Sequence, residues 1–206
     1  MYSTQTTAAN NAAKLFSAFK AKTGDDPRFA VGGFGGAAAS NPTNDELREV
    51  TDVFVDTQAA LNAALGQLTI TGGYEEGYKA LIDTFNPNNG YLKWDFTPNG
   101  RVCVIIFTDE DSDGPETAAN VIIAKGSNSI IPVLSSQFCS LGSSCNPING
   151  DFPYPPVSSL SAPGYISMDD FNNPAKTDGI IDDMVQACVD TPVSYTHLTL
   201  PTNREV

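Results

Sequence analysis

Arg101-Val102-Cys103-Val104-Ile105-Ile106-Phe107-Thr108-Asp109-Glu110-Asp111-Ser112-Asp113-Gly114 decides how the rest of the chain is read. An unbroken β-rich apolar run from Val102 to Phe107 stops at three aspartates spaced two apart. Apolar side chains at successive positions point to both faces of a strand, so this strand is expected to be covered on both sides, as in a parallel sheet packed between helices. Open sheets of that kind bind ligands just beyond the carboxyl ends of their strands. Asp109 therefore stands at the position where such a sheet does its chemistry.

Working outward, strand and helix patterns alternate. Residues 7–22 place Ala12, Leu15, Phe16 and Phe19 on one helical face, and Gly24 and Pro27 follow as stop signals. Residues 28–34 read as a short strand running into Gly35 and Gly36. Gly32, Gly33, Gly35 and Gly36 do not make the dinucleotide-binding G-x-G-x-x-G, so close backbone packing is the expected reason for them. A turn at residues 41–45 precedes a segment reaching about Asp56 that suits an edge strand. Residues 57–68 form a helix pattern with Leu61, Ala64, Leu65 and Leu68 inward, and residues 75–85 another with acids in its first turn. Beyond Gly114, Pro115 and Glu116 open an expected helix to about Lys125, and residues 129–134 form the next strand. Residues 136–162 have no period and many prolines, which marks a long surface loop. A short strand over residues 165–168 then precedes a helix capped by Thr177, with Ile180, Ile181, Met184, Val185 and Cys188 facing the core. The class is α/β with a mostly parallel sheet.

With 206 residues, 41% of them hydrophobic, the chain has enough material for one domain with a real core and too little for two. A net charge of −13 without a Lys/Arg cluster argues against nucleic acid; a divalent cation or a basic partner surface fits it better, although on charge alone a merely solubilising acidic surface is the first reading. No apolar run is long enough to insert in a membrane, and the first residues lack the basic and apolar regions of a signal peptide. Of the four cysteines, Cys139 and Cys145 bracket a short Ser/Gly-rich loop. A bridge between them would restrict the unfolded chain by roughly 2 kcal/mol in the loop-entropy model, and would place the protein in an oxidising compartment. Cys103 and Cys188 read as small buried apolar residues.

Residues 193–206 follow a complete helix and have no partner pattern. They resemble a tail that recurs on unrelated sequences where assembled reads run into adapter, so the expected domain is residues 1–192. The one histidine, His197, lies in that tail. Without it, catalytic triads, histidine-ligated zinc and histidine general bases are excluded.

Three stretches together resemble the von Willebrand factor type A family, over about residues 1–190. They are residues 28–36, which look like the family's second strand; residues 71–81, with Gly72, Gly73, Tyr74 and Glu75, which look like its metal-site threonine loop and following helix; and residues 104–113, which look like the strand and aspartate completing the site. The resemblance implies a Rossmann-like three-layer sandwich and an extracellular, adhesion-type domain that binds a protein partner through a divalent cation, Mg²⁺ or else Ca²⁺, without turnover. Asp109 matches the family's aspartate. Tyr74 stands where the family has threonine, and a long rigid phenol does not reproduce a short hydroxyl. The family's D-x-S-x-S segment and its first strand are absent. In many members the last serine of that motif is followed by methionine, so Met1 is expected to be that internal residue of a domain truncated at its first strand, with a correspondingly weak cation site.

A local alternative uses Asp109, Asp111 and Asp113 as the first half of a calcium loop, D-x-D-x-D-G. Position 12 of such a loop would be Asn120, where a bidentate Glu is required, and a strand precedes it instead of a helix. The blander expectation for Asp111 and Asp113 is that they solvate a turn and cap the next helix. Tyr74 and Glu75 have a similarly bland reading as helix-start residues. A metal-assisted hydrolase ranks below both, because there is no nucleophile beside a base, no phosphate loop and no full ligand set.

Overall fold

The structure, a computed structural model, describes residues 2–24, 27–34, 48–49, 51, 54–67, 77–86, 102–108, 115–126, 128–134 and 166–190. In chain order the elements are α1 (Tyr2–Thr23), β1 (Gly32–Gly33), β2 (Arg48–Glu49), α2 (Gln58–Leu65), α3 (Gly77–Phe85), β3 (Cys103–Thr108), α4 (Ala118–Lys125), β4 (Ser129–Leu134), β5 (Ile166–Ser167), α5 (Met168–Phe171) and α6 (Thr177–Asp190). Helices and a small parallel sheet make this an α/β arrangement.

The sheet is built around the apolar run from Val102 to Phe107. β3 pairs in parallel with β4 from Cys103 opposite Ser129 to Thr108 opposite Leu134, and β4 pairs in parallel with β5 at Val133–Ile166 and Leu134–Ser167. Side chains alternate as the all-apolar run requires. Cys103, Ile105 and Phe107, with Ile131 and Val133 of β4, pack against Leu15 of α1, Phe171 of α5 and Ile181, Met184 and Val185 of α6. Val104, Ile106 and Ile130 pack on the other side against Tyr78 and Leu81 of α3 and Val121 of α4. Both faces are therefore covered, and β4 is the most deeply buried strand, with Ile130 at 1% and Val133 at 0% exposure.

Pro132 sits inside this central strand, where the missing N–H would ordinarily break a ladder. The Ser129 N–H donates to the Val102 carbonyl at 3.0 Å, so the main-chain groups of residues 129, 131 and 133 face β3. Those of Pro132 face the other side, one residue before pairing with β5 starts. No ladder bond is asked of its nitrogen.

A second, two-stranded sheet pairs β1 with β2 antiparallel, Gly32 opposite Glu49 and Gly33 opposite Arg48, and a Phe29–Val55 bridge extends it. The expected edge segment ending near Asp56 is thus the partner of residues 29–33. Phe29, Val31 and Val55 pack on Ala12 and Phe16 of α1 and Leu61 and Ala64 of α2, while Ala30, Phe34 and Phe54 pack on Ala80 of α3. The Arg28 guanidinium lies 4.7 Å from the centre of the Phe54 ring and ties the two segments together at the surface.

Helix ends show where local chemistry was read correctly and where it was not. α1 starts at Tyr2, earlier than residue 7, because no glycine or proline interrupts residues 2–7. It stops at Gly24, which takes φ 77° and returns its N–H to the Lys20 carbonyl at 3.0 Å. α2 is capped by Thr57, whose hydroxyl accepts from Ala60 N–H.

α4 begins at Ala118, not at Pro115. Thr117 is its N-cap: its hydroxyl accepts from Asn120 N–H, and Asn120 Oδ1 accepts from Thr117 N–H at 3.0 Å. This reciprocal box fixes the start three residues beyond the proline. Thr117→Ala should lower unfolding stability by about 1 kcal/mol, read as a lower urea midpoint with unchanged slope.

Two further expectations are corrected. Met168 opens α5 instead of ending the strand, and β5 is only Ile166–Ser167. Thr177 is the buried first residue of α6, and its hydroxyl donates to the carbonyls of Phe171 at 3.0 Å and Asn173 at 2.7 Å, locking the α5–α6 turn. The core face of α6 is as expected, with Ile180, Ile181, Met184, Val185 and Cys188 all buried. The described part of the third helix starts at Gly77. Leu68, Glu75, the loop over residues 136–162 and the tail over residues 193–206 lie outside the described residues.

Candidate functional site

β3 delivers the candidate site. Its six residues run parallel to β4, between α1, α5 and α6 on one face and α3 and α4 on the other, and Thr108 is its last residue. Asp109 is next in the chain. Asp109, Asp111 and Asp113 lie outside the described residues, as do Gly72, Gly73, Tyr74 and Glu75. What is described is the frame that holds both segments: α3 starts at Gly77, just after the first, and α4 starts at Ala118, just after the second. The two helices pack against each other on the same face of the sheet.

Asn120 bears on the calcium-loop alternative. Its amide oxygen accepts from the Thr117 N–H and hydroxyl, the latter at 2.6 Å, so it serves the helix cap. A residue in that role is not free to act as the twelfth-position ligand of a loop starting at Asp109.

Three carboxylates elsewhere pair with lysines. Lys79 donates to Asp83 at 2.8 Å along α3, Lys176 to Asp170 at 2.7 Å, and Lys14 to Asp178 at 2.6 Å, joining α1 to α6. The last pair is solvent-exposed and contributes about 0–1 kcal/mol. Asp178 also sits in the first turn of α6, where the helix dipole favours a negative charge. Burial lowers the Lys125 ammonium below the ordinary lysine value, and its Nζ donates to the Gly126 carbonyl at 3.2 Å. Among the described residues, no three His, Cys, Asp or Glu side chains cluster as a metal group, and no helix is long and apolar enough to cross a membrane.

One covalent feature departs from the sequence reading. Cys103 at the start of β3 is bonded to Cys188 in α6, with Cα atoms 5.5 Å apart and a sequence separation of 85. These two were expected as unlinked buried residues. The sheet face that carries Cys103 is the face on which α6 packs, and this brings the two sulfurs together. The only signal in sequence was that both cysteines occupy inward positions of core elements. The proposed partners Cys139 and Cys145 lie outside the described residues.

No family model matches the chain, and no curated protein matches it.

Proposed function

We propose that the chain is a von Willebrand factor A-like domain, a Rossmann-like three-layer sandwich, that binds an extracellular protein partner through a divalent cation. The observation that carries this reading is β3 itself. It is a parallel strand covered by helices on both faces, and its carboxyl end continues directly into Asp109. That is where open α/β sheets place ligands. The Cys103–Cys188 bridge is compatible with an oxidising, extracellular setting.

In this reading Asp109 would hold Mg²⁺ directly or through water, Gly72, Gly73, Tyr74 and Glu75 would supply the second segment of the site, and a carboxylate of the partner would complete the shell. Mg²⁺ commonly takes one or two carboxylates and keeps several waters, so a short protein ligand set is chemically sufficient for weak binding. Asp111 and Asp113 add negative potential more than coordination. The domain acts by binding and performs no turnover.

Mn²⁺ titration of the full chain, followed by electron paramagnetic resonance, tests the ligand set. Weak binding should be lost in Asp109→Ala and reduced only a fewfold in Asp111→Ala and Asp113→Ala. Equal losses in all three variants would favour the local calcium loop, and unchanged binding in Asp109→Ala would refute the reading.

A further inference from the structure

We draw no further inference here: the strongest candidate, the apolar surface patch that Ile122 and Ile123 leave exposed on α4, carries nothing because nothing in the structure shows what covers it.

Discussion

Replacing both Cys103 and Cys188 with alanine should lower unfolding stability by about 4.5 kcal/mol, the loop-entropy value for a bridge with a sequence separation of 85. The bridge anchors the start of β3 to the buried face of α6, and it closes a large loop in the unfolded chain, which loses conformational entropy. With a urea slope of about 2 kcal/mol/M, the midpoint should fall by about 2 M. Peptide mapping without reduction reads the pairing directly. Trypsin cuts after Arg101, Lys125 and Lys176, so Cys103 and Cys188 fall in different peptides while Cys139 and Cys145 share one, residues 126–176. A covalent link between residues 102–125 and the peptide starting at Thr177 is the expected product. If Cys103 and Cys188 carry free thiols, or the alanine pair leaves the midpoint unchanged, the bridge is absent or without consequence.

Phe171→Ala should have an effect of similar size, about 3–5 kcal/mol, by opening a cavity where the sheet meets α5 and α6. Phe171 is fully buried, packs in the cluster that joins β4, β5 and α6, and sets its ring 5.7 Å from that of Phe107. Its carbonyl also accepts from Thr177, so the residue anchors the turn as well as filling the core. Ile123→Ala is the matched control. Ile123 is 80% exposed on α4 and should change stability by no more than about 0.5 kcal/mol. A small loss in Phe171→Ala, or a large one in Ile123→Ala, would contradict this account of where the core lies. Both variants are read by urea unfolding monitored in the far ultraviolet.

The elements legible in sequence were those with strong periodicity. The run from Val102 to Phe107 announced a strand covered twice, and its residues divide between two clusters on opposite faces. The spacing of Ile180, Ile181, Met184, Val185 and Cys188 announced the face of α6, and all five are buried. Ends were less legible. Pro115 is a good helix opener in general, but the Thr117–Asn120 box competes with it, and an asparagine at the third position is a weaker sequence signal than glutamate. Thr177 looked like a cap because threonine often is one, yet its hydroxyl is drawn to the carbonyls of the tight α5–α6 turn. The pairing of the disulfide was not legible beyond the inward placement of both cysteines. Four cysteines allow three complete pairings, and only the tertiary fold brings residues 85 apart within bonding distance. Of the candidate site, the strand that presents Asp109 is described, while the acidic segment and the Gly72–Gly73 segment are not.

The proposed function turns on whether those two segments form one cation site. Mg²⁺ titration of the ¹⁵N-labelled chain, followed by amide chemical shifts, tests this most directly. The account predicts saturable shifts at both Gly72–Glu75 and Asp109–Asp113, with the ion pairs at Asp83, Asp170 and Asp178 unmoved. Shifts confined to residues 109–114, or scattered over the acidic surface, would contradict it.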